Sequence, residues 1–228
     1  MKRIKLLMKW TSYILAALAF ATTPIIGQAE DKPQDIVDGA VTTLNNFVSD
    51  PNMTWFQKHI KDAQGVFIVP SLVKAGFILG GSGGSGVLLA RVADTPNKWS
   101  YPAFYTMGSG TFGLQAGVEK AEVVLLVMTE KGMSAMLGNK FQLGADASVA
   151  AGPVGAGAQA ATADILQFSR SKGLFGGLTV EGAVIAPRDK WNQAYYGKEV
   201  LPVDILQKHS VQIAGADPLR KAVANAAR

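Results

Sequence analysis

From Gly65 to about Ile185 the chain is written as short β-favouring runs broken by glycine, and this texture constrains the fold more than anything else in it. The runs Gly65–Val69, Ala75–Leu79, Gly86–Val92, Ala103–Met107, Thr111–Val118 and Val123–Met128 predict strands. Phe141–Gly144, Ile165–Arg170 and Leu174–Ile185 predict further strands, around a helix at Lys131–Leu137 and an Ala/Gly tract at Ala145–Ala163. Spacing of this kind suits antiparallel hairpins. Strands do not alternate with long helices, which argues against a doubly wound parallel sheet. Outside the β region, Ile36, Val37, Ala40, Val41, Leu44, Phe47 and Val48 recur at helical offsets. They predict an amphipathic helix over Asp35–Val48, stopped by Asp50-Pro51. A second helix is expected over Met53–Ala63, a closing one at Lys190–Tyr196, and a last one from Asp217-Pro218 to Arg228, with Asp217 as its N-cap. The expected class is α+β: a glycine-rich antiparallel β core with two N-terminal helices and short C-terminal helices.

The first residues have a different grammar. Met1-Lys2-Arg3-Ile4-Lys5 leads into the apolar run Tyr13–Ala21, and small residues follow at Ala19/Ala21 and Gly27/Ala29. This is the layout of a secretory signal peptide, with cleavage expected near Ala29, where Glu30-Asp31-Lys32 turns polar. An uncleaved anchor is the alternative, because Trp10–Ala29 is uncharged over roughly the length of a spanning helix. Pro24, Gly27 and Gln28 argue against it. The segments expected are therefore 1–29 signal peptide, 30–64 helical segment, 65–197 β-rich core and 198–228 helical tail, in a protein exported to a periplasm or cell envelope.

Charge and composition then exclude whole classes of function. The formal charge of +5 includes Lys2, Arg3, Lys5 and Lys9 of the leader. The remainder is nearly neutral, without the basic stripe of a nucleic-acid binder. With no cysteine, thiolate metal sites, disulfides and cysteine nucleophiles are excluded. Two histidines leave little for a metal site or an imidazole base, and no cofactor is expected. Gly81-Ser82-Gly83-Gly84-Ser85-Gly86 satisfies the dinucleotide fingerprint in letters, yet Val87–Arg91 continues as a strand rather than the helix that motif needs; a hairpin turn is expected there. Gly80–Gly84 also matches a nucleophile elbow around Ser82 and lacks the same helix, so a triad with His209 or His59 is disfavoured. Asp146, a lone acid in an uncharged tract, reads as a buried structural aspartate.

One stretch suggests a membrane. Ser169–Gly177 joins Arg170 and Lys172 to Leu174 and Phe175, pairing cations for anionic headgroups with side chains that can enter the interface. The competing reading is a hairpin with Leu174 and Phe175 in the core. Trp99, Tyr101, Phe104 and Tyr105 are similarly divided between an aromatic belt and core packing.

The same segments, in order, carry a family resemblance. Gly65–Pro70, Lys74–Gly81, Trp99–Phe104, Gly113–Glu119, Leu143–Pro153, Ser169–Gly177 and Tyr195–Gly197 together resemble the SYLF domain. The resemblance implies a non-enzymatic lipid-binding domain, in its eukaryotic members one that binds phosphoinositides and couples membranes to actin assembly. It also directs attention to the N-terminal helices, where Lys58 and Lys61 are the cations. The expected partner is anionic phospholipid or a membrane surface, with nucleic acid excluded and actin disfavoured for an exported bacterial protein. The alternative is an envelope structural or protein-interaction domain.

Overall fold

The structure, a computed structural model, describes residues 32–76, 79–93, 95–112, 117–152, 162–171 and 180–228. Helix α1 (Pro33–Ser49) starts with proline in its first turn, and the Asp35 carboxylate accepts from the Lys32 N–H at 3.3 Å. Its buried stripe is Ile36, Val37, Ala40, Leu44 and Phe47. It ends at Asp50, whose side chain accepts from Asn52 N–H at 2.9 Å and so opens the 3-10 turn Pro51–Met53. The expected second helix is α2 (Thr54–His59), with a further 3-10 turn at Ile60–Asp62.

Eight strands follow in one sheet: β1 (Gly65–Gly76), β2 (Leu79–Ala90), β3 (Ala103–Phe112), β4 (Gly117–Val127), β5 (Phe141–Gln142), β6 (Val149–Ala151), β7 (Ile165–Ser171) and β8 (Val184–Pro187). Their spatial order is β5-β8-β3-β2-β1-β4-β7-β6, and every pair is antiparallel except β6–β7. Between them and after them lie α3 (Glu130–Met136), α4 (Asp189–Tyr196), α5 (Pro202–Leu206) and α6 (Asp217–Ala226). The α+β class stands.

Both faces of the sheet's centre are buried, which explains runs such as Val-Phe-Ile-Val in place of a polar alternation. Val66, Ile68, Val87, Leu89, Val124 and Leu126 pack with α1 and α6. The intervening Phe67, Val69, Leu88, Val123, Leu125 and Val127 pack with Met133, Met136, Ile205 and Leu206.

Three expectations need correction. The strands expected at Gly65–Val69 and Ala75–Leu79 are not two separate elements: Leu79 opens β2, while Ala75 belongs with Gly65–Val69 to β1, which ends at Gly76 and carries a bulge between Ile68 and Val73. Pro70, which has no N–H to give a ladder, sits within it. The glycine tract Gly80–Gly86 is no turn; it is the middle of β2. A Cβ on Gly84 would lie 2.6 Å from Ser71 O, and one on Gly86 2.5 Å from Ile68 O, so the bulge in β1 needs glycine opposite it. At the last helix Asp217 is the first helical residue and Ala216 stands at the cap.

Candidate functional site

Arg170 lies on β7 opposite Glu122 of β4. Its Nη1 donates to Glu122 Oε2 at 2.7 Å, and its Nε donates to Asp50 Oδ2 at 2.8 Å. The other Glu122 oxygen accepts from Asn46 Nδ2 at 2.8 Å and Thr43 Oγ1 at 3.2 Å. The cluster thus fastens the end of α1 to the sheet. The Asp50 hydrogen bond raises the guanidinium's pKa above its ordinary value, and the Asn52 N–H with Arg170 lowers that of Asp50. The expectation of a free cation at a membrane tip is corrected here: Arg170 is neutralised by two carboxylates. Lys172, Leu174 and Phe175 lie outside the described residues.

Beyond this clamp the sheet runs on past the helix. On the α1 side its far half presents Val73, Ala75, Val118 and Lys120, because Ala75 pairs with Val118 and Val73 with Lys120. The same face continues across Gly81, Gly83, Gly108 and Gly110, and nothing lies within 4 Å of a Cβ built on Gly83 or Gly110. Val118 is 79% exposed, the most exposed large hydrophobic side chain among the described residues. The result is a side-chain-poor shelf with an exposed valine and a lysine, at the end of the sheet where β7 stops at Ser171.

Lys58 and Lys61 are exposed, one helical turn apart. Trp55 stacks on His59 with ring centroids 4.1 Å apart. A third cation joins them that sequence reasoning missed. Arg91, at the end of β2, donates from Nη2 to Lys61 O at 2.7 Å and from Nε to Ala63 O at 2.9 Å, while stacking 4.6 Å over Trp99. In sequence it is an arginine closing the apolar run Val87–Ala90, with no signal for this pairing.

Other candidates fall into structural roles. Ser82 Oγ is 2.8 Å from Ser109 Oγ on the paired strand. It lies eight positions before Ala90 on β2, about 26 Å at the usual strand rise, and His209 lines a cavity at the Ala90 end. Asp146 is exposed and accepts from Gln142 N–H at 2.7 Å, so the expectation of a buried aspartate is corrected. The buried acid is Asp164, which takes hydrogen bonds from Thr129 Oγ1 (2.6 Å), Ser148 Oγ (2.8 Å) and Ser148 N–H (2.9 Å). Trp99, Tyr101, Phe104 and Tyr105 are buried, which decides for core packing. Among the described residues no cluster of three metal-ligating side chains occurs, and no helix is long and apolar enough to cross a membrane.

A family model described as Ysc84, Las17-binding protein actin regulator, matches residues 108–226. The chain is 34% identical over 194 residues to Protein YSC84 of Saccharomyces cerevisiae, covering 79% of this chain and 41% of that protein. It is 34% identical over 168 residues to LAS seventeen-binding protein 3 of the same yeast, covering 70% and 36%. With the human SH3 domain-containing YSC84-like protein 1 it shares 30% over 166 residues, covering 70% and 48%. The chain thus spans less than half the length of these relatives. No solved structure matches it. On the family match and the ordered segments together, this chain belongs to the Ysc84, or SYLF-domain, family of binding and regulatory domains.

Proposed function

We propose that the domain is a non-catalytic module that docks on an anionic phospholipid surface. The observation that carries this reading is the glycine-rich face around Val118: among the described residues it carries few side chains, with Val118 79% exposed and Lys120 beside it, at the end of the sheet that the segment with Lys172, Leu174 and Phe175 follows in sequence. In this reading Lys172, Leu174 and Phe175, which lie outside the described residues, make the membrane contact, and Arg170 before them in sequence is held by Asp50 and Glu122. Lys58 and Lys61 supply a second cationic contact. A lysine near an anionic surface contributes about 1 kcal/mol, and the contribution weakens within a Debye length of about 8–10 Å as salt rises. In this reading the residues up to Ala29 are a signal peptide, and the mature protein acts in the cell envelope.

The family description favours a second reading, in which the same shelf meets an actin-regulatory protein. Two relatives, from two strains of Saccharomyces cerevisiae, are named LAS seventeen-binding protein 3, and this tempers the expectation that disfavours actin. Vesicle co-sedimentation separates the two readings. Phosphatidylcholine vesicles containing phosphatidylglycerol should pellet the Glu30–Arg228 chain, and plain phosphatidylcholine vesicles should not. Lys58→Ala with Lys61→Ala, or Lys172→Ala with Phe175→Ser, should weaken binding roughly tenfold. Equal pelleting with both vesicle types, or none with either, removes the lipid reading and leaves the protein-partner one.

A further inference from the structure

One of the chain's two histidines, His59, closes α2 between Lys58 and Lys61 in sequence. Its ring stacks on Trp55, with centroids 4.1 Å apart and planes 25° from parallel, and its Nδ1 lies 2.8 Å from the Trp55 carbonyl oxygen. A carbonyl oxygen only accepts, so Nδ1 carries a hydrogen in the neutral ring as well as in the charged one. The proton that charges the ring therefore goes onto Nε2 and leaves this hydrogen bond intact. Once charged, the imidazolium rests on the indole face, whose quadrupole attracts a cation. The surrounding charges favour the same sign. Lys58 and Lys61 are exposed, Arg91 is tied to the Lys61 and Ala63 carbonyls, and Asp62 acts on Arg91 as a charge. Those three cations against one carboxylate leave a surplus of two, which a protonated His59 raises to three. Helix α2 packs through Phe56 on Phe47 of α1 and on Phe168 of β7. The charged groups at these contacts are Asp50, at the end of α1, and Arg170 of β7, and both are engaged in the clamp with Glu122; Asp35 and Asp38 stand at the other end of α1. Among the described residues no carboxylate lies within ion-pair distance of the His59 ring.

We propose that Trp55, Lys58, His59 and Lys61 form a pH-graded contact for anionic lipid headgroups, which tightens in mild acid as His59 gains its charge. A histidine side chain passes from neutral to charged between about pH 8 and pH 5. One more cation near an anionic surface tightens binding about fivefold. Trp55 is half-buried and supplies the kind of amphipathic ring that settles at headgroup level. The coupling is mutual, because a surface that prefers the charged ring also favours its protonation. The inference rests on the lipid reading above and names how one of its contacts is regulated.

The test is co-sedimentation of the Glu30–Arg228 chain, which holds both buried clusters, with phosphatidylcholine vesicles containing phosphatidylglycerol. The phosphodiester of that lipid stays ionised at both conditions compared, about pH 7.5 and about pH 5.5. Wild type should bind about fivefold more tightly at the lower pH, and the gain should shrink as salt rises. His59→Gln should lose the gain. His59→Arg should bind at both pH values as tightly as wild type does in acid. His209→Gln, outside the contact, should keep the whole gain. Should His59→Gln lower the melting temperature, His59→Arg decides alone, and a pH gain left in it refutes the proposal. Equal affinity of wild type at the two pH values, or a gain that survives in His59→Gln, overturns this inference and leaves the lipid reading standing. No binding at either pH overturns both.

Discussion

Gly84 and Gly86 show what a single residue decides here. Their missing side chains make room for the Ser71 and Ile68 carbonyls where β1 bulges, whereas a Cβ on Gly83 would meet open space. Gly86→Ala should therefore destabilise the fold by about 1–3 kcal/mol through overpacking, while Gly83→Ala stays within about 0.5 kcal/mol of wild type. Denaturant unfolding of the two variants checks the contrast; equal losses would mean the bulge yields. Arg170→Ala belongs at the same scale. It leaves Glu122 and Asp50 facing one another's surroundings without their shared cation, and after discounting for partial exposure it should lower the melting temperature by about 2–4 °C. Read from sequence, Arg170 is a cation for anionic headgroups, with no sign of its two carboxylate partners. The error has a physical source: Asp50 and Glu122 are 120 and 48 residues away, and nothing local to Ser169–Ser171 announces them. The glycine tract misled for a related reason, since glycine marks turns far more often than it marks a strand facing another strand's bulge.

Among the elements, α3, β6 and β7 converge on Asp164. Thr129 caps α3 by accepting from Gly132 N–H at 3.1 Å, and its hydroxyl hydrogen goes to Asp164 at 2.6 Å. Ser148, just before β6, gives its N–H and hydroxyl to the same carboxylate, and Lys131 lies 3.4 Å away. The Thr129 hydrogen bond, then those of Ser148 and Lys131, hold the Asp164 pKa well below the usual carboxylate range against the opposing effect of burial. A carboxyl whose folded pKa is depressed stabilises fully above its unfolded value of about 3.9 and loses that contribution as pH falls toward the folded one. Asp164→Asn should cost about 1–3 kcal/mol at pH 7, and its gap from wild type should narrow below about pH 4. Parallel unfolding curves down to pH 2 check the sign; a gap that widens in acid would refute it. Much of the sheet and α3, expected at Lys131–Leu137, were legible because β-branched and apolar runs are local signals. The tie at Asp164 was not, for it lies one residue past a tract whose only visible acid was Asp146.

For the whole molecule, residues 32–228 form one compact unit, although the sequence divides them into a helical segment, a core and a tail. Leu219 and Val223 of α6 are fully buried in the same cluster as Ile36, Val37 and Leu44 of α1. Gln34 joins the two ends directly, donating to Gly215 O at 3.1 Å and accepting from Tyr195 Oη at 3.0 Å. An amphipathic stripe reveals that a helix needs a partner but not which one, so this closure could not be read from residues some 180 positions apart. Because net stability of such domains is only about 5–15 kcal/mol, one face of the sheet cannot lose a helix and stay folded. Leu219→Ala alone should remove about 2–5 kcal/mol. A chain ending at Ala216 should lose the cooperative transition, since α1 would then expose its stripe along with the sheet beneath. The Glu30–Arg228 chain, by contrast, should melt in a single transition, because it holds both buried clusters of the described residues. Calorimetry of the three chains decides the matter. Two separate transitions in Glu30–Arg228, or an unchanged melt in the chain ending at Ala216, would show that α6 is an appendage and that the sheet holds its own faces.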